Sequence, residues 1–388
     1  MNFSLTDDQR ALQEGARAFA DAELAPHAAE WDATAHFPIE TLKKAGEAGF
    51  MGLYVAEEHG GLGLPRLDSS IILEQLATGC ISTTAYITIH NMVGWMIASF
   101  ATDSCREQWV PAMVAGDKLG SYCLTEPGSG SDAASLRTRA EREGDDYYLS
   151  GSKMFISGAG ATDVLVVMAR TGEPDSGAAG ISAFVVPADT DGISYGKKED
   201  KMGWNSQPTR LVSFDRVRVP AAYRLGEEGE GFRFAMKALD GGRINIATCS
   251  LGAAQKALEL SRDYLGERKQ FGRELAQFQA LQFKLADMAT ELTAARTLVR
   301  LAAFKLDEGD AEASAHCAMA KRFATDMGFE VCNQALQLHG GYGYIREYPL
   351  ERLVRDTRVH QILEGTNEIM RLIIARRLLT PGMIESLA

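Results

Sequence analysis

Apolar residues recur at three- and four-residue spacing through the first third of the chain. Thr6-Asp7-Asp8-Gln9 reads as a capping box, and Leu12, Ala16, Phe19 and Ala20 continue one apolar face. After the loop His59-Gly60-Gly61-Leu62-Gly63-Leu64-Pro65, residues 67–108 carry long helical periodicity until Pro111 and Gly116 break it. From about residue 118 the texture changes to short apolar runs between Gly, Pro and Asp clusters. Residues 119–124, 164–169, 181–186 and 211–219 read as strands, and 147–149 with 153–156 as a hairpin turning at Ser150-Gly151-Ser152. No long helical pattern separates these runs, which argues against a parallel Rossmann sheet and for an antiparallel barrel or sandwich. After Gly231 the helical period returns. Leu285, Met288, Leu292, Ala295, Val299 and Ala303 share a face that Leu298, Leu301 and Phe304 widen, and residues 317–338 repeat the habit, so a helical bundle is expected. The predicted fold class is α+β, mostly α: an all-α domain over 1–117, a β domain over 118–226 and a helical bundle over 227–388.

Composition narrows the function. At 388 residues, 46% hydrophobic and 24% charged, the chain has the make-up of an ordinary globular protein. A net charge of −12 argues against nucleic-acid binding. No apolar run reaches the roughly 18–20 residues that span a bilayer, so no membrane insertion is expected. The start, MNFSLTDDQRALQ, lacks a signal-peptide core and is not a transit peptide. Six cysteines without CxxC spacing then point to reduced thiols in a bacterial cytoplasm, or in a mitochondrial matrix for a processed form. Seven dispersed histidines without HExxH spacing predict no metal site.

Candidate chemistry centres on residues 358–379, RVHQILEGTNEIMRLIIARRLL. An apolar approach leads to one carboxylate, Glu364, then Gly365. Thr366 can cap a helix opening with Asn367 and Glu368, whose buried face would hold Ile369, Leu372, Ile373, Leu378 and Leu379. A carboxylate in a dry pocket is a strengthened base, suited to taking a proton from carbon. Taken alone, Glu364 reads more readily as a surface residue ahead of a helix, and the rest of the chain overturns that reading. The loop 122–132 offers small residues, hydroxyls and backbone N–H groups to a flat ring or phosphate, or is a plain turn. Phe155-Ile156-Ser157 is either core or an aromatic wall. Asp240-Gly241-Gly242-Arg243 reads as a helix start that makes room for a ligand, with Arg243 as an anion partner or a surface ion pair.

Taken together and in order, YCLTEPGSGSD (122–132), RKQFG (268–272), QLHGGYGY (337–344) and HQILEGTNEIMR (360–371) resemble the acyl-CoA dehydrogenase family over essentially the whole chain. The resemblance implies a helical domain, a β domain and a four-helix bundle, with FAD between the last two. Tyr122, Cys123, Leu124, Thr125, Gly130, Ser131, Phe155, Ile156 and Ser157 would line the flavin. Arg268, Phe271, Phe278, Gln279, Gln337, Leu338, His339, Gly340 and Gly341 would reach the FAD of a neighbouring subunit in a homotetramer, a dimer of dimers. Thr366, Asn367 and Glu368 would contact the cofactor, while Ser131, Asp240, Gly241, Gly242, Arg243 and Gly365 would hold acyl-CoA. Glu364 would be the catalytic base. Relatives that place the base on the helix containing Gly241-Gly242 need a carboxylate there, and this chain has Gly242.

Strings such as SGAGATDVLVVM (157–168) and KMGWNSQPTR (201–210) are similar to members acting on isobutyryl-CoA. The expected reaction is therefore FAD-dependent dehydrogenation of a short branched acyl-CoA, with electrons leaving through electron-transfer flavoprotein. The alternatives are butyryl-CoA or 2-methylbutyryl-CoA as substrate, a flavin monooxygenase of the same fold, and a non-catalytic helical scaffold.

Overall fold

The computed structural model describes residues 4–380; residues 1–3 and 381–388, the outer ends of the first and last expected domains, lie outside it. Six helices come first: α1 Asp7–Phe19, α2 Ala28–Thr34, α3 Ile39–Glu47, α4 Arg66–Gly79, α5 Ile81–Phe100 and α6 Asp103–Val114. The predicted capping box forms, with Gln9 N donating to Thr6 Oγ1 and Thr6 N to Gln9 Oε1, each at 3.1 Å. The periodic stretch 67–108 resolves into parts of three helices, interrupted by extended backbone at Cys80 and at Ala101 and Thr102. α4 and α5 are buried nearly all round; α5 carries no charged residue, and the buried carboxylate of α4, Glu74, is paired with Arg296 at 2.8 Å. Pro111 does not end α6. It sits in the last turn, and both it and Glu107, four residues back, are exposed, so water can replace the helix bond that Pro111 lacks. The left-handed Gly116, φ +76°, follows the helix.

Eight strands follow: β1 Gly120–Cys123, β2 Arg139–Glu143, β3 Asp146–Ser157, β4 Val164–Arg170, β5 Ile181–Pro187, β6 Ile193–Tyr195, β7 Thr209–Pro220 and β8 Arg224–Leu225. They form one sheet in the order β6-β7-β3-β2-β4-β5-β8, with β1 also on β4. Most ladders are antiparallel as expected; β1 and β2 join β4 in parallel, so the sheet is mixed. The expected hairpin at 150–152 is absent. β3 runs straight through and bulges between Leu149 and Gly151, because Gly151 adopts φ +146° and packs on Thr138, where a Cβ would come within 2.6 Å of Oγ1. The hairpin lies instead at Gly144-Asp145, between β2 and β3. β4 is buried on both faces. Val164, Val166 and Met168 join the core that α5, α6 and α7 share with the sheet, while Leu165, Val167 and Ala169 face the core enclosed by the other strands.

The remainder is α7 Gly231–Glu267, the small hairpin β9 Lys269–Gln270 and β10 Arg273–Glu274, α8 Gln279–Asp307, α9 Ala313–His339, α10 Leu350–Arg358 and α11 Asn367–Leu378. Two corrections concern exposed faces. On α8, Met288, Leu292, Ala295, Val299 and Ala303 are buried, whereas Leu301 and Phe304 are exposed. On α11, Leu372, Leu378 and Leu379 are exposed, and the buried residues are Asn367 and Met370. The periodicity was correct, but those faces are left uncovered by the described residues. A third correction matters for the site: Gly241 and Gly242 lie inside α7, not at its start. Among the described residues no helix is long and apolar enough to cross a membrane, and no cluster of three or more His, Cys, Asp or Glu is placed to hold a metal ion. All six cysteines are free and buried.

Candidate active site

α10 ends at Arg358, and one turn of tighter helix leads to a reversal at Glu364 and Gly365. Both residues are left-handed, with φ +56° and +87°. For Glu364 this conformation costs roughly 1–2 kcal/mol, a local strain that the surrounding contacts sustain. Thr366 then caps α11 by accepting from Ile369 N at 3.3 Å. The reversal lays the Glu364 carboxylate on α7. A Cβ at position 242 would lie 2.5 Å from Glu364 Oε2, so only glycine admits the carboxylate here. Oε2 is buried and has no hydrogen-bond partner among the described residues. Burial pushes the carboxyl up to about 7, against the opposing pull of Arg243 and Lys321.

Lys321 on α9 holds this turn in place. It is fully buried, and its Nζ donates to Gly365 O and Asn367 Oδ1, both at 2.8 Å. Burial brings its ammonium down to about 8, and the Glu364 charge resists that fall. Asn367 Nδ2 donates in turn to Asp326 Oδ1 at 2.7 Å, while Glu368 is exposed. Arg243 is buried and paired with Asp240 Oδ1 at 2.5 Å, and Ser314 Oγ donates to the same oxygen at 3.0 Å. The Tyr122 hydroxyl is buried without a hydrogen-bond partner among the described residues, and burial together with the Glu364 charge raises its pKa.

The loop after β1 is stapled from beneath. Lys153 Nζ, fully buried, donates to Glu126 Oε1 at 2.8 Å and Leu124 O at 3.0 Å, and Glu126 accepts from Arg137 N and Thr138 N. The side chains of Cys123 and Ile156 point into the sheet core and Leu124 is buried, so these three offer mainly backbone to a ligand. Thr125 and Ser157 are half-buried, and Gly130 and Ser131 are exposed.

Residues 268–279 and 337–341 form a separate region. His339 lies 18 residues beyond Lys321 on α9, about 27 Å along the helix. A cleft of about 530 Å³ lies there, lined by Arg268, Gln337, Leu338, His339, Gly340 and Gly341 among others. His339 stacks on Tyr264 at 4.3 Å. Phe271 is 93% exposed and meets Phe278 edge-on, and Gln279 opens α8 beside them.

Over residues 6–117, 121–217 and 229–379 the chain matches, in turn, the N-terminal, middle and C-terminal domains of acyl-CoA dehydrogenase. This chain belongs to the acyl-CoA dehydrogenase family. It is 56% identical over 378 residues to the mitochondrial isobutyryl-CoA dehydrogenase of Bos taurus, covering 97% of this chain and 90% of that one. It is 53% identical over 374 residues to the enzyme of the same name from Dictyostelium discoideum, covering 96% and 90%. Butyryl-CoA dehydrogenase from Megasphaera elsdenii has the same architecture, with a TM-score of 0.94 at 40% identity, covering 98% of this chain and 100% of that one.

Acyl-CoA dehydrogenases are FAD-dependent oxidoreductases, and the residues here fit such a cofactor. Phe155 is 63% exposed and left-handed at φ +60°, an aromatic face presented to open space at a cost in backbone strain. Met154 N donates to Thr125 O at 2.8 Å, which ties the Phe155 turn to the 122–131 loop. A Cβ at Gly130 would meet nothing within 4 Å, so a ring has room beside that loop.

Four residues around Glu364 escape a reading of the sequence: Lys321, Tyr54, Arg66 and Asn245. For Lys321 a signal exists, a lone lysine at a core-facing position among the small residues of α9. Tyr54, Arg66 and Asn245 carry none.

Proposed function

We propose that this acyl-CoA dehydrogenase converts isobutyryl-CoA to methacrylyl-CoA, a step of valine breakdown, and passes its electrons to electron-transfer flavoprotein. The observation that carries the reading is the buried, unpartnered Oε2 of Glu364 lying against Gly242. A thioester α-proton is too weakly acidic for a hydrated carboxylate, and desolvation strengthens the base. Glu364 takes the α-proton. Its backbone N–H, as the family resemblance implies, donates to the thioester oxygen as charge develops there. FAD, when bound, supplies the acceptor for the β-hydride. Arg243 with Asp240, together with Ser131 and Gly365, holds the acyl-CoA. Tyr122, Thr125 and Phe155, with the backbone of Cys123, Leu124 and Ile156, line the flavin. The two relatives named for isobutyryl-CoA support the branched substrate. The test is anaerobic bleaching of the flavin by a panel of acyl-CoA esters. Isobutyryl-CoA is expected to bleach it fastest, and faster bleaching by butyryl-CoA or 2-methylbutyryl-CoA would reassign the substrate.

The enzyme works as a homotetramer in this reading. Phe283, Leu301 and Phe304 stand exposed along α8, a row of apolar side chains that a second copy would cover. The cleft at Arg268 and 337–341, remote from Glu364 along α9, would serve the FAD of that neighbour. Light scattering of the FAD-loaded protein is expected to give four copies, and a fully loaded monomer would refute the assignment.

A further inference from the structure

The glycine-rich loop over residues 59–65 has no part in the chemistry above, yet its geometry reaches the site. Its backbone folds back on residues 53–55, with Leu64 N donating to Leu53 O and Gly63 N to Val55 O, both at 2.8 Å. A Cβ at Gly61 would sit 2.1 Å from Val55 O, so the loop closes this tightly only with glycine there. Asn91 secures the inner segment, accepting from Leu53 N and donating to Phe50 O at 2.8 Å each. The result sets Tyr54 and Arg66 side by side, the Arg66 guanidinium lying 3.5 Å above the Tyr54 ring.

This pair is docked on α7. The guanidinium covers Gly241, where a Cβ would lie 2.5 Å from Nη1, and Asn245 Nδ2 donates to the Tyr54 hydroxyl at 3.2 Å. Gly242 and Asn245 are three residues apart and share a helix face, so the phenol stands about 4.5 Å along α7 from the Glu364 carboxylate. The two directions along α7 from Gly242 differ. Toward Asp240 and Leu239 the helix is half-exposed and Ser314 beside it is exposed, whereas residues 241–254 are all buried. Coenzyme A has to reach solvent, so the acyl group points into the dry direction, where Tyr54 is only 8% exposed.

We infer that Tyr54, braced by Arg66 and Asn245, is the end wall of the acyl pocket and restricts this enzyme to short acyl groups. The inference rests on the reading of Glu364 as the base. A chain extending beyond the γ-carbon meets the phenol ring, whereas isobutyryl, whose methyl branch is carried by the α-carbon itself, ends at the β position and does not.

The experiment compares kcat/KM for hexanoyl-CoA and isobutyryl-CoA in the FAD-loaded enzyme with an artificial electron acceptor. Tyr54→Ala is expected to raise the hexanoyl-to-isobutyryl ratio at least tenfold. Tyr54→Phe, which keeps the ring, is expected to leave it within about threefold, a contrast that a merely structural role would not produce. If Tyr54→Ala fails to load FAD, Tyr54→Leu takes its place with the same direction expected. An unchanged ratio in a loaded, active Tyr54→Ala or Tyr54→Leu variant overturns the inference. A wild-type enzyme that prefers another acyl-CoA would refute the isobutyryl assignment alone. Tyr54 would then be tested with that substrate and its homologue two carbons longer.

Discussion

Glu364→Gln is expected to leave the protein folded, yellow and able to bind acyl-CoA, yet unable to have its flavin reduced by substrate. Gln matches Glu in shape, so the turn held by Lys321 and Asn367 survives, but a neutral amide cannot accept the α-proton. Loss of a positioned general base costs up to about 10⁴-fold in rate, and Gly242 offers no second carboxylate to take over. Rapid-mixing absorbance of the flavin with isobutyryl-CoA reads the loss directly; near-normal bleaching would place the base elsewhere. The pH dependence follows from the same carboxylate. With its carboxyl raised to about 7, Glu364 acts as a base only once ionised, so wild-type flavin reduction should rise as pH passes through about 7. Stability has the opposite slope. A carboxyl whose folded pKa exceeds its unfolded one binds more protons when folded, so stability is full below the ordinary carboxylate range and is lost as pH rises through the folded value. Glu364→Gln removes that loss, and its melting temperature should exceed the wild type's above neutrality but not in acid.

Gly242→Ala is expected to lower the rate of flavin reduction by about 10²-fold without unfolding the protein, because small displacements of a reacting group cost rate steeply. The added methyl would fall 2.5 Å from Glu364 Oε2, which no real contact allows. What gives way is the end of a flexible side chain, so the carboxylate shifts while α7 stays put. Ala is also favoured over Gly inside a helix by about 1 kcal/mol, so thermal stability should hold or rise. A variant with equal or higher melting temperature and a crippled reductive step separates site geometry from fold. An unimpaired rate would show that the carboxylate does not need its seat on α7.

Much of this was legible in the chain. The Thr6 capping box, the β4 run and the Thr366 cap after Glu364-Gly365 are local patterns, and each forms where its residues predict. Other features were misread for identifiable reasons. Local propensity interprets Gly241-Gly242 as a helix boundary, because the cost of glycine in a helix is a local quantity and the carboxylate that demands it arrives from 122 residues away. Gly151 suggested a turn where a close approach to Thr138 called for a bulge. Leu301, Phe304, Leu372 and Leu379 were assigned to the core because an apolar stripe has the same period whether it meets its own chain or another.

The sequence alone determined the order of helices, strands and helices and the family, and it pointed to Glu364 as the candidate base, because each rests on residues close together in the chain or on motifs in fixed order. The tertiary structure alone decided that Oε2 of this carboxylate is buried without a hydrogen-bond partner among the described residues, that Lys321 clamps its turn, and that Tyr54, Arg66 and Asn245 stand beside it. Desolvation and pocket shape are properties of what surrounds an atom, and here those surroundings come from α4, α7, α9, β1 and the loop before α4, segments that only folding brings together.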